Sequence, residues 1–168
     1  MAHDADRRPP STWPREYGLV RPDGGAWIWL SDTHVLAALA AAAPVWALLV
    51  MTVGDRMHVT TGWAGWITLV LAQPLIEEIV FRGVLQGQLL QMGLSRRHGP
   101  FTNANLVTTV CFVGAHLFTQ PPAWALAVSV PSLVFGHLRE RFGSVWPAVF
   151  VHAIYNAGFA LAAWWVHA

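Results

Sequence analysis

The sequence predicts an all-α protein, a polytopic transmembrane bundle of about five helices. Three observations predict it. Of the 168 residues, 55% are hydrophobic and only 11% charged, against about 25% charged in ordinary soluble domains. The apolar residues come in long blocks, and a body this small has too much surface for its volume to hide them all from water. The arginines between the blocks fall almost entirely on one side of the predicted membrane, as cytoplasmic loops require. Ten Trp residues fit the same reading, because Trp favours the bilayer interface.

Residues 1–33 read as a polar N-terminal tail with Arg7, Arg8, Arg15 and Arg21. The tail lacks the apolar core of a signal peptide, so it is expected in the cytosol or at the interface. Trp13, Tyr17, Trp27 and Trp29 are suited to the headgroup level. Residues 34–61 comprise a first span, 34–53, and its loop. Residues 62–168 make up the core. Its first apolar segment, 63–92, exceeds the roughly 20 residues that a span needs. Pro74 is expected to kink or split it, since proline removes a backbone donor and clashes with the preceding turn. Segments 103–119 and 123–138 form a hairpin around Gln120-Pro121-Pro122, with a kink expected at Pro131, and the last span is 145–166. With the N-terminus inside, eight arginines lie inside and only Arg56 outside. That bias predicts an inside N-terminus and an outside C-terminus.

Composition also excludes some functions. There is no lysine and no basic stripe with interleaved aromatics, so nucleic acid is not an expected partner. Cys111 is the single cysteine and cannot form an internal disulfide.

The chemistry-bearing residues lie inside apolar segments. The second segment contains Glu77-Glu78-Ile-Val-Phe81-Arg82. A charge at the bilayer centre costs on the order of 2.5–3.5 kcal/mol, so intramembrane charges are functional candidates. Glu78 and Arg82 are four apart and share a helix face in the favourable order. Glu77 is turned about 100° away. Arg82 is therefore expected to neutralise Glu78 and leave Glu77 to act on water. A purely structural ion cluster accounts for Glu78 and Arg82 but leaves Glu77 without a partner. Phe112 and His116 share a face of the third segment, where Gly114 offers a close approach. His152 and Asn156 share a face of the last; they can bind one water together, or Asn156 can fix the His152 tautomer. Each of these two pairs alone is as well explained as packing or interhelical glue. Together, a carboxylate base, two imidazoles and an amide donor are the groups needed to hydrolyse an amide by general base catalysis.

The three ordered motifs, Glu77-Glu78-x-x-x-Arg82, Phe112-x-x-x-His116 and His152-x-x-x-Asn156, resemble those of the CPBP family. This is also called the Abi or CAAX-protease-like family and includes the CAAX prenyl endopeptidases. The stretch from Phe135-Gly136 to Gly143-Ser144-Val-Trp146-Pro147 and on to His152 is similar to the family's run into its last motif. The resemblance covers about residues 62–160. It implies an all-helical intramembrane endopeptidase, with Glu77 as base, His116, His152 and Asn156 around the water, and Glu78, Arg82 and Phe112 in support. The implied mechanism is glutamic and metal-free. The alternative is a zinc site of Glu77, His116 and His152 with open positions. The implied partners are the lipid bilayer and a membrane-associated protein or peptide substrate. Prenylated tails are the substrates of eukaryotic relatives. The Arg- and Ala-rich, Lys-free composition points to a bacterial inner membrane.

Two other functions compete. A catalytically silent scaffold or immunity-type protein of the same fold need not keep the whole Glu, His, His and Asn set. A haem protein using His116 and His152 as axial ligands leaves Glu77 and Glu78 unexplained. A straight-helix count also puts His116 about 20 Å beyond Asn103 and His152 only about 10 Å beyond Val145. The two histidines then stand at different depths if both helices start at one interface.

Overall fold

Asp32 starts the first long helix, which follows a single helical turn at Trp13–Glu16. Its carboxylate accepts from the His34 backbone N–H at 2.9 Å, satisfying a donor that a helix start leaves open. Arg141 grips the same carboxylate through Nε and Nη2. This hydrogen-bonded guanidinium holds Asp32 below the usual carboxylate range. The structure, a computed structural model, describes residues 13–22, 25, 28–57 and 62–168. Arg7, Arg8, Trp27 and His58 lie outside the described residues.

Helix α1 runs Thr33–Val53. Helix α2 runs Trp63–Gln91. Within it, Thr68–Ala72 and Ile79–Leu85 are wound as π-helix on either side of Gln73–Glu78. Pro74 therefore does not split the helix: it sits just after a widened turn, where its missing N–H is absorbed. A two-stranded antiparallel hairpin, β1 Arg97–His98 and β2 Phe101–Thr102, leads into α3, Asn103–His116, capped by the Thr102 hydroxyl on the Asn105 N–H. Short helix α4, Pro122–Ala127, meets α5, Ser129–Phe142, at Val128. That break lies three residues before Pro131, where a bend was expected. Gly143 ends α5 in the left-handed conformation at φ 59°, and α6 runs Trp146–His167.

The chain is an all-α membrane helical bundle apart from that hairpin. Among the described residues three helices are long and apolar enough to cross a membrane: Thr33–Arg56, Trp63–Gln91 and Trp146–His167. Helices α3 and α5 have 14 residues each, about 21 Å at 1.5 Å per residue. The segments expected as third and fourth spans are thus shorter helices, packed among the three long ones.

Small residues set the packing, as they do where lipid removes the hydrophobic drive between helices. Ala38, Ala42, Ala148, Ala160 and Ala163 are buried on α1 and α6. At Gly158 a Cβ would collide with the Trp46 ring, so that glycine seats α1 against α6. Gly158→Ala is expected to lower stability by about 1–3 kcal/mol through overpacking, read as a lower melting temperature in detergent. Gly114→Ala is the control. Gly114 was expected to admit a close neighbour, but nothing lies within 4 Å of a Cβ built there.

The end of the tail is folded onto the bundle. Arg139 Nη2 donates to the Glu16 carbonyl at 2.8 Å, and Ser144 Oγ to the Val20 carbonyl at 2.7 Å. The Val145 N–H donates to the Gly18 carbonyl at 2.9 Å, and Gln88 to the Tyr17 hydroxyl at 2.8 Å. Gly18, at φ 65°, leaves room for the Arg139 guanidinium. Trp29 is buried edge-on to Phe150 rather than lying at the headgroups. The cluster of His137, Arg139, Glu140 and Arg141, which reads from sequence as solvated, is a tie-point. Arg139 is buried, Glu140 accepts from Gln86 and Thr102, and His137 bonds His34.

This strap accounts for the depths of the two histidines. Val145 is level with Gly83 of α2, whose Cβ would lie 3.7 Å from the Val145 side chain. Ala104, at the start of α3, is level with Leu94, beyond the end of α2. Helix α6 therefore starts at least eight residues of α2 deeper, about 12 Å. That offset cancels the difference in helical count, and His116 and His152 line one cavity.

Candidate active site

The two widened turns of α2 set the site's geometry. The Glu78 carboxylate and the Arg82 guanidinium are fully buried, with Arg82 Nη1 3.2 Å from Glu78 Oε1. Arg82 Nη2 also donates to the carbonyl and hydroxyl of Ser132 on α5, at 3.1 and 2.8 Å. Ser132 Oγ lies 2.9 Å from Thr109 Oγ1 on α3. Phe112 and Phe135 cover the guanidinium, their ring centroids 4.4 and 5.4 Å from Cζ, an arrangement that favours a desolvated cation. Arg82 thus ties α2, α3 and α5 together.

His152 is held from the other side of Glu78. Its Nδ1 lies 2.8 Å from Glu78 Oε1, and its ring stacks on Phe135 at 4.7 Å and 18°. An ionised carboxylate only accepts, so Nδ1 carries the proton and Nε2 is the free ring nitrogen. Nε2 lies 3.9 Å from Glu77 Oε2. Glu77 itself is 27% exposed and lines a cavity of about 630 Å³ together with His116, His152 and Asn156. His116 directs Nδ1 to the Phe112 carbonyl at 2.9 Å, which likewise leaves Nε2 free, and its ring packs 4.4 Å from Phe112.

Every site residue singled out in the sequence therefore meets in one region. Glu77, His116, His152 and Asn156 line the cavity, and Phe112 forms part of its wall. Glu78 and Arg82 lie behind it with no exposure. One detail differs. Glu78, not Asn156, orients His152. Asn156 donates Nδ2–H to the Leu69 carbonyl at 2.9 Å, within the first π-wound stretch of α2. One N–H and Oδ1 of Asn156 remain for the cavity. Sequence reasoning missed Ser132, Thr109 and Gln86. Gln86 was findable, being four residues after Arg82 on the same face. Ser132 and Thr109 look like the hydroxyl residues common in any membrane helix.

Residues 58–158 match the family model Type II CAAX prenyl endopeptidase Rce1-like. The chain belongs to that family. No curated protein and no solved structure matches it. As an Rce1-like protein it is an integral membrane protein, and membership implies CAAX-type intramembrane protease activity, a hydrolase acting on peptide bonds. The match lies over α2 to α6 as far as Gly158 and includes every residue lining the cavity except Arg56 and Phe159; α1 and the strap precede it.

Zinc can be weighed on the donor set. His116 and His152 each anchor Nδ1 and leave Nε2 free, which is how ligating histidines are held. Yet among the described residues no three His, Cys, Asp or Glu side chains gather into a group that could hold a metal ion. As arranged, the donors do not fit a zinc site.

Proposed function

We propose that the protein is a glutamic-type intramembrane endopeptidase in which Glu77 activates the attacking water. The observation that carries this reading is the His152 bridge. A histidine locked by buried Glu78 turns its free nitrogen toward a second, cavity-facing carboxylate 3.9 Å away. The buried ion pair behind it accounts for Glu78 and Arg82 and leaves Glu77 for chemistry.

The reaction follows from these atoms. Glu77 takes a proton from water as the water oxygen attacks the scissile carbonyl carbon. His152 Nε2 holds the water beside Glu77, and its Nδ1–H bond to Glu78 fixes the ring. The second Asn156 N–H donates to the carbonyl oxygen as negative charge gathers there, and His116 Nε2, its ring fixed through Nδ1 on the Phe112 carbonyl, accepts from the attacking water. The C–N bond then breaks, and the proton held by Glu77 passes to the leaving amine nitrogen. Products are a new carboxylic acid and a new amine.

The substrate in this proposal is a membrane-associated protein or peptide, whether or not it is prenylated. The orientation proposed is an inside N-terminus in a bacterial inner membrane. It is supported by Arg97, Arg139 and Arg141, which bind Glu140, Glu16 and Asp32 at one end of the bundle, while Arg56 stands at the other. The test compares the membrane proteome of cells making wild type with that of cells making Glu77→Gln, by mass spectrometry of peptide termini. A new terminus that requires Glu77 supports the reading; identical termini count against it. The metal question has its own outcome. Protein purified without a metal-binding tag is expected to carry well under one zinc per chain and to keep its activity in phenanthroline. Stoichiometric zinc, with activity lost on removal and restored on return, would replace the glutamic mechanism with a zinc-dependent one.

A further inference from the structure

The cavity is longer than the hydrolytic centre needs. Along α2 its wall is Gly65, Thr68, Gln73 and Glu77, one helix face that rises about 18 Å from Gly65 to Glu77. Glu77 and His152 stand at one end. Arg56 stands at the other, in the turn Gly54–Arg56 that follows α1. Two independent contacts fix that position. A Cβ at Gly54 would lie 3.5 Å from the Val166 side chain, and His167 Nε2 donates to the Met57 carbonyl at 2.7 Å. Both partners are at the far end of α6, 14 and 15 residues beyond His152.

Charge is distributed unevenly along this wall. Between the ends, Thr68, Gln73, Gln120 and Asn156 offer neutral hydrogen-bonding groups, suited to the backbone amides of an extended segment. Arg56 is the one guanidinium among the described residues of the lining. It is exposed, and among the described residues no carboxylate lies within ion-pair range of it. Guanidinium groups pair bidentately with carboxylates. At about 3.3 Å per residue, 18 Å accommodates about five residues of extended chain.

We propose that Arg56 is a specificity residue, holding a carboxylate of the substrate about five residues from the bond that Glu77 hydrolyses. The inference rests on the peptidase reading of the same cavity. The carboxylate comes from a chain end or from an Asp or Glu side chain; the chemistry recognised is the same. Arg56 touches substrate away from the reacting atoms, so it acts on affinity rather than on the hydrolytic step.

The probe is an eight-residue Ala/Leu peptide with an N-terminal fluorophore, in three forms. One has a free C-terminal carboxylate, one a C-terminal amide, and one Glu as its last residue followed by the amide. Binding to full-length protein in phosphatidylcholine nanodiscs is read by anisotropy, and hydrolysis of the same peptides by mass spectrometry. The carboxylate-bearing forms are expected to bind wild type about tenfold more tightly than the neutral amide. Arg56→Gln is expected to abolish that preference, and Arg56→Lys to retain part of it. A larger preference for the free carboxylate assigns the site to chain ends; a larger preference for the Glu form assigns it to side chains. Equal affinity of wild type for all three forms, or a preference that survives Arg56→Gln, overturns the proposal. It is equally overturned if Arg56→Gln keeps the preference and only lowers the melting temperature in discs containing phosphatidylglycerol, since Arg56 is then a lipid anchor. Carboxylate-dependent binding without hydrolysis counts against the peptidase reading alone, whereas hydrolysis without the preference counts against Arg56 alone.

Discussion

Glu77→Gln is expected to reduce turnover on the order of 10²–10⁴-fold while the protein inserts and melts as wild type does. Glutamine keeps the size and one acceptor of glutamate but has no basicity with which to take a proton from water. The fold has little to lose from the change. Glu77 is partly exposed to the cavity, and the nearby His152 Nε2 is at 3.9 Å, too far for a direct hydrogen bond. The ion pair that holds the helices uses Glu78 instead. Steady-state kinetics and a detergent melt on the same preparation check both halves of this expectation.

Arg82→Ala is expected to do the opposite, with a loss of stability of roughly 3–5 kcal/mol and a corresponding fall in yield. The substitution strands the Glu78 carboxylate in a fully buried position with only His152 beside it. It also removes the donor that joins α2 to the Ser132 carbonyl and hydroxyl, and it leaves a gap between Phe112 and Phe135. Arg82→Lys restores the charge but not the fork that reaches Glu78 and Ser132 together, so it recovers only part of the loss. Chemical denaturation or thermal melting in detergent measures the difference, and an Arg82→Ala protein as stable as the parent contradicts the pairing.

The polar face of each functional helix was legible in the sequence because its residues are four apart. Glu78 with Arg82, Phe112 with His116, and His152 with Asn156 each fall on one face whatever the tertiary structure, and Glu77 falls off the first of these faces. What joins the faces was not legible. The common depth of His116 and His152 depends on the tail residues Gly18 and Val20, which hydrogen-bond Val145 and Ser144 at the start of α6, and nothing in a polar, proline-containing tail announces such a seat. The bond from Asn156 to the Leu69 carbonyl depends on a π-wound turn, and winding leaves no mark in a hydrophobic pattern. The bounds of α3 and α5 were missed for a related reason: the expected segment 103–119 runs past His116, and 123–138 takes in α4 while α5 continues to Phe142. Apolar composition extends past a helix end when the neighbouring turn is also buried in the bundle or faces lipid.

The account is tested most directly by hydrolysing a peptide, identified from the Glu77-dependent termini, with purified metal-depleted protein in H₂¹⁸O. The expected result is one ¹⁸O in the new carboxyl group after a single turnover, no gain in rate on adding zinc, and product from Glu77→Gln at a rate about 10²–10⁴-fold below wild type. Labelled product formed by Glu77→Gln at the wild-type rate would contradict it.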